Sequence, residues 1–254
     1  MHLSAFVDAL DASDVSLTVV NVNGSGNEHV TGMFEDLFER QPVDVQQTVS
    51  DASEENLVVL TRNGERVAES ELDTIGDAVL FVNSDVYITG SRELEDVKTP
   101  SVIEALTDVP FYAEGYPSQR KEKLLLIEIS RYIEALAYRA GVGDLHSGFQ
   151  RLSRIGDEKG TLEVYDALAS TNVETHVYGV DDSRSSQAGV HAHSGSEELG
   201  EVWFVVFVPP ENVDVQHAAL VCVETDPGKW RGFWTFDADR VQDIRAYVQD
   251  AYQA

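Results

Sequence analysis

The residues best suited to chemistry lie in Gly143-Asp144-Leu145-His146-Ser147-Gly148-Phe149-Gln150-Arg151-Leu152. A histidine, a glutamine and an arginine stand there between closely spaced glycines and a new apolar face, a composition suited to a site rather than to an ordinary surface loop. His146 and Ser147 offer a base beside a hydroxyl, but sequence neighbours do not form a nucleophile–base pair by adjacency. No Gly-x-Ser-x-Gly elbow is present, and the 45 carboxylates make chance acid–base pairs common, so no catalytic residue is assigned. His191 and His193 would point the same way on a strand, which is half of a metal site. Glu197 and Glu198 are near, yet no cysteine or third histidine is placed by sequence to complete the set. Their Ser/Gly-rich setting reads as solvated loop, and no metal ligand is assigned. Gly24-Ser25-Gly26 follows an apolar run and precedes a helical one, where backbone amides could hold phosphate. His29 stands where the third glycine of a dinucleotide fingerprint would fall, so an ordinary turn is the better reading although Asp44 follows at a suitable distance. The sequence names no cofactor.

A second group is aromatic. Trp203, Phe204, Trp230, Phe233, Trp234 and Phe236 fall on two β-like segments. Alternation sends Trp203 and Val205 to one face and Phe204 and Val206 to the other. Most belong in a core, while an indole edge could line a pocket.

Composition narrows the classes. Forty-five acidic residues against 18 basic give a net charge of −27, spread along the chain rather than gathered in a tail. That pattern fits a cytoplasmic protein of a high-salt organism. It excludes nucleic acid and anionic membrane as partners, because Arg120, Lys121 and Lys123 are the one local basic group. Cys222 is the single cysteine, so no intramolecular disulfide forms; its flank Leu220-Val221-Cys222-Val223 reads as buried strand. No basic and apolar leader opens the chain and no run reaches the length of a membrane span.

The positioning elements follow from periodicity. Residues 1–12 have helical rhythm through Leu3, Phe6, Val7 and Leu10. A strand at Leu17–Val22, a helix at Glu28–Arg40 and a strand at Val43–Val49 make a β-α-β start. Asn63-Gly64 between apolar runs marks a hairpin. Short helices are expected at Glu71–Val79 and Ser101–Leu106, with core segments at Val79–Val82 and Val86–Ile88. A long helix spans Gln119–Ala140 and ends at Gly141; Leu124, Leu126 and Ile127 widen its apolar arc into a candidate homodimer face. Ser147–Ile155 reads as a second helix, with Phe149, Leu152 and Ile155 inward, and Leu162–Leu168 as a third. Strands follow at Thr175–Val180, Val202–Val208, His217–Glu224 and Gly232–Phe236, with a mobile loop over 181–200, and a helix closes the chain at Val241–Tyr252. The expected fold is mixed α/β, a central mixed sheet flanked by helices, with residues 1–100 as an N-terminal segment and 101–254 as the core, or both as one domain.

Gly143-x-Leu145-His146-x-Gly148-Phe149-Gln150, Tyr165, His176-Val177-Tyr178-Gly179, Trp203-Phe204-Val205-Val206 and Gly232-Phe233-Trp234-Thr235-Phe236-Asp237 together resemble the DICT sensory domain in its archaeal stand-alone form. Ile129-Ser130-Arg131-Tyr132-Ile133-Glu134 resembles that family's entry helix. The resemblance is clearest over about residues 119–248. It implies a cytoplasmic sensory or signal-relay role on an α/β fold, with no established catalytic residue or ligand. The family takes its name from diguanylate cyclases and two-component systems, where the domain sits beside output modules. This chain shows no cyclase, kinase, receiver or helix-turn-helix segment, so its output would pass to a separate signalling protein. The expectation is a non-enzymatic sensor that binds a small ligand or a partner through His146, Gln150 and Arg151, walled by His176, Tyr178, Trp203 and Trp234. The alternatives are an enzyme with a histidine-centred site and a dimeric interaction module.

Overall fold

The computed structural model describes residues 2–10, 14–50, 55–80, 94, 97–114, 121–157, 159–181 and 189–253. Helix α1 (Ser4–Asp8) is followed by strand β1 (Val15–Val20), helix α2 (Ser25–Phe38) and strand β2 (Asp44–Thr48). β2 runs parallel to β1, the β-α-β unit expected from sequence. Val30, Phe34, Leu37 and Phe38 are buried at three- and four-residue spacing, so one stripe of α2 seals one face of this sheet. β3 (Leu57–Arg62) and β4 (Glu65–Glu71) form the hairpin. Its turn residues Asn63 and Gly64 have φ of 52° and 81°, the left-handed pair that matches strand twist. The sheet order is β2-β1-β3-β4. Helix α3 (Leu72–Ile75) widens into a π turn over Gly76–Leu80. Residues 81–90 lie outside the described residues, and with them most of the core segments read at Val79–Val82 and Val86–Ile88.

The second sheet is built from α4 (Ser101–Ala105), β5 (Phe111–Glu114), α5 (Lys121–Ala140), β6 (Val142–Arg151), α6 (Arg154–Asp157), α7 (Lys159–Ala169), β7 (Asn172–Val180), β8 (His191–His193), a 3-10 turn at Glu197–Glu201, β9 (Val202–Val208), β10 (Ala218–Asp226), β11 (Lys229–Thr235) and α8 (Ala238–Tyr252). Its order is β5-β11-β10-β9-β6-β7-β8. β6, β7 and β8 run parallel and the other pairs are antiparallel. Both sheets are mixed, so the fold is mixed α/β with two sheets.

Three expectations change. Ser147–Ile155 is not a helix: Val142–Arg151 is a central strand, and only Arg154–Asp157 coils. The helical spacing of Phe149, Leu152 and Ile155 is real, but both edges of β6 are bonded, to β7 and β9. Gly148 further weakens a helix there. Gly148 lies under Phe204, where a Cβ would come within 2.4 Å of the ring. Second, His191–His193 is a strand rather than part of a loop, and Glu197–Glu201 is a turn of helix; residues 182–188 lie outside the described residues. Third, the apolar arc of α5 is used inside the chain. The helix packs on β5, β6, β9 and β10 and also on α7 and the π turn, with Leu126 buried and Leu124 and Ile127 half-buried. Among the described residues of the helix no apolar stripe stays exposed.

Alternation divides the second sheet into two faces. Leu145, Val177, Val205, Phe207, Leu220, Cys222 and Trp234 join one apolar cluster with α5, α7 and the inner side of the first sheet. Tyr178, Phe204, Val206, Val221 and Phe233 join another with Leu3 and Val7 of α1 and with Val241, Ile244, Val248 and Tyr252 of α8. α8 begins at Asp237, whose carboxylate accepts from the Arg240 amide at 2.8 Å.

Candidate functional site: an imidazole array on three parallel strands

The in-register pairing of β6, β7 and β8 sets His146 beside His176 and His176 beside His191. Tyr178 lies beside Gly148 and His193 by the same register. Period two keeps all five ring-bearing residues on the face covered by α8. Strand spacing stacks their rings: His146 on His176 at 4.8 Å and 9°, His176 on His191 at 5.1 Å and 27°, Tyr178 on His193 at 4.8 Å and 19°. Exposure grades across the array. His146 is fully buried, His176 and His193 are half-buried, and His191 is exposed.

Hydrogen bonds give the array a direction. The Gln253 amide, just past α8, donates to Tyr178 Oη at 2.7 Å and approaches His176 Nδ1 at 3.3 Å. Tyr178 has one hydroxyl proton, and Oη lies 2.7 Å from His146 Nδ1. The Tyr178 hydroxyl can donate to His146 Nδ1, and in that tautomer the His146 proton sits on Nε2. Nε2 is buried with no partner among the described residues. His193 Nε2 and His176 Nδ1 are 3.0 Å apart, with ring centroids 5.3 Å apart and planes 26° apart. These rings therefore meet edge to edge, as in an N–H···N bond. An ion between them would need about 2.0–2.1 Å on each side, which this separation does not give. Among the described residues no group of three or more His, Cys, Asp or Glu side chains is placed to hold a metal ion.

Electrostatics favour the neutral form of His146, His176 and His193. Burial lowers His146 to about 3, with His176, Arg245 and His193 adding repulsion. Burial, then His193 and His191, lower His176 to about 4, against a small opposing pull from Asp144. His193 is lowered by burial and His191. Burial raises the Tyr178 phenol well above its usual value. The nearby carboxylate, Asp144, is held by Arg245 of α8 at 2.5 Å. At neutral pH His146, His176 and His193 thus present uncharged donors and acceptors, suited to a polar ligand and, for the two most depressed rings, poorly suited to general-base work at that pH.

Of the residues singled out from sequence, the fold brings together His146, His176 and Tyr178. Gln150 and Arg151 lie past Gly148, at a bulge where Gln150 has φ of 63° and Arg151 is exposed beside Val180. Trp203 and Trp234 are on the opposite face: Trp203 packs on the α5-side cluster, and buried Trp234 donates from Nε1 to the Ile103 carbonyl at 3.2 Å. The sheet itself separates both indoles from the imidazoles. His146 and Ser147 point to opposite faces, as adjacent strand residues must, so they form no dyad. His193, Gln253 and Arg245 were missed as members. The His-x-His spacing was a signal for His193. No local signal marks Gln253, which reaches Tyr178 only through the tertiary fold.

Residues 100–225 match the DICT family, the sensory domain in diguanylate cyclases and two-component systems. The span runs from the residue before α4 to the penultimate residue of β10 and contains every ring of the array. No curated protein matches the chain. Among solved structures, the crystal structure of polyphosphate kinase from Porphyromonas gingivalis aligns over 60% of this chain and 25% of its own, at 14% identity and a TM-score of 0.36. The chain spans about a quarter of that kinase, and a likeness this low implies nothing about activity. No described helix is long and apolar enough to cross a membrane. Through residues 100–225 the chain belongs to the DICT family of sensory domains.

Proposed function

We propose that this chain is a non-enzymatic cytoplasmic sensor whose input, a small polar ligand, is read at the imidazole array and relayed to a separate signalling protein. The DICT match supports the sensory role. The observation that carries the choice of site is the buried, partnerless Nε2 of His146 at the inner end of the graded array. A buried N–H of this kind costs about 1–3 kcal/mol unless an acceptor meets it. A ligand that supplies the acceptor gains that energy and gains stacking on His191 and His176. The array touches a central strand, an edge strand and the residue after α8, so occupancy acts on all three at once.

The test is native mass spectrometry in volatile buffer after incubation with the low-molecular-mass fraction of a cytosolic extract. A mass retained by the native chain and lost from the His176→Ala/Tyr178→Phe double variant supports the site. Retention unchanged in that variant, or no retained mass, counts against it.

A further inference from the structure

We propose that two copies of this chain join edge to edge, β2 against β2 about a two-fold axis through Gln46, making one eight-stranded sheet from two four-stranded ones.

The proposal comes from the sheet edges. An open edge presents unpaired amides and carbonyls, and proteins blunt such edges by shortness, charge, bulges or cover. Three of the four edges here are blunted. β8 is three residues long. β5 is covered: Gln41 donates to the Tyr112 carbonyl at 2.9 Å and accepts from the Tyr112 amide at 2.8 Å, so one side chain takes both backbone groups. β4 carries Glu65, Arg66, Glu69 and Glu71 and has a register shift opposite Leu60/Thr61. β2 has none of these devices. It pairs with β1 over five residues without a shift and contains neither Lys nor Pro. Beside it Val49 is 92% exposed, the most exposed of the large apolar residues described.

Charge points to a second copy as the occupant. Two chains of −27 can meet only where acid is sparse. β2 has one acid of its own, Asp44, at its end, and the neighbouring Glu35 of α2 is engaged by the Gln47 amide at 2.7 Å. Antiparallel pairing centred on Gln46 sets Asp44 opposite Thr48, Val45 opposite Gln47 and Gln46 opposite its own copy. Two of these pairings are complementary: the Asp44 carboxylate can accept from the Thr48 hydroxyl, and the two Gln46 amides can exchange hydrogen bonds. The two Asp44 residues then lie about 14 Å apart along the strands, four residues at about 3.4 Å each. That exceeds the Debye length of about 3 Å at molar salt several-fold. Val49 of each copy comes to lie beside Val43 of the other, which covers it. The interface is isologous and closes at two copies.

The test uses the single, fully buried Cys222, which leaves no competing surface thiol. Gln46→Cys should form a covalent dimer under mild oxidation in molar KCl, because facing antiparallel residues sit at Cα distances that a disulfide spans. Thr18→Cys, on the neighbouring strand, should not. By sedimentation the native chain should be a dimer in molar KCl. Gln46→Lys should weaken it by about tenfold, through like charges facing at the axis, with an unchanged thermal transition. A native chain that sediments as a monomer overturns the proposal, as does a dimer that ignores Gln46→Lys while Gln46→Cys fails to cross-link.

Discussion

Strand β6 turns Leu145 and Ser147 toward α5 and α7 and turns His146 and Gly148 toward α8, and the contrast between these faces runs across the whole sheet. Under α5 and α7 several buried polar groups pair with one another. Arg131 binds Glu134 at 2.5 Å and Thr161 at 2.9 Å, Tyr165 donates to Glu134 at 3.0 Å, and Trp234 is tied to Ile103. Under α8 the polar groups form a graded row that ends in solvent at His191 and in an unmatched donor at His146. Two faces of the same strands thus divide the work. One carries a network of paired polar groups, and the other a row of stacked rings.

Substitutions on the first face should therefore dominate stability. The largest expected effect is Trp234→Ala, which removes a buried indole and its hydrogen bond and should cost about 3–5 kcal/mol in urea denaturation. Arg131→Met should follow closely, at about 3 kcal/mol, because it leaves the Glu134 carboxylate buried without its cation. A loss below about 1 kcal/mol in either variant would mean that this face is not the rigid one.

The array should instead reveal itself through pH. His146 is held neutral in the fold at about 3 and titrates near its usual 6.5 when unfolded. Its neutral form contributes fully above pH 6.5, and that contribution is lost as pH falls toward 3. Against a His146→Gln variant, whose carboxylates are the same, the native chain should lose roughly 3 kcal/mol between pH 7 and about 4.5. Parallel stability curves for the two proteins would show that His146 is not held neutral. The smallest effect belongs to His191→Ala, within about 0.5 kcal/mol, since the ring is exposed and only stacks on His176. A cost like that of Trp234→Ala would erase the distinction between the faces.

Much of this was legible in the sequence. Asn63-Gly64 gave the hairpin, the spacing in α2 and α5 gave their buried faces, and Trp203-Phe204-Val205-Val206 gave a two-faced strand. The site was legible only in part. His146, His176 and Tyr178 could be picked out, but which face each occupies depends on β6 being a strand, and helical spacing at Phe149, Leu152 and Ile155 concealed that. Trp203 and Trp234 were grouped with rings that lie across the sheet from them because the register between strands, which decides a shared face, is not written in any one strand. Gln253 illustrates a different limit, since it joins the array through tertiary packing that no local pattern encodes.

The pairing of Phe111 in β5 with Gly232 in β11 has a consequence for biosynthesis. The strand on the outer edge of the second sheet cannot dock until β11 has emerged from the ribosome, well over a hundred residues later. The β2-β1-β3-β4 sheet has only near-neighbour pairings and can form while the rest of the chain is still being made. The strand pairings of the small sheet are thus available early, while the inner face it shares with α5 and α7 is covered only as the later half closes, a long-range closure that loop entropy slows.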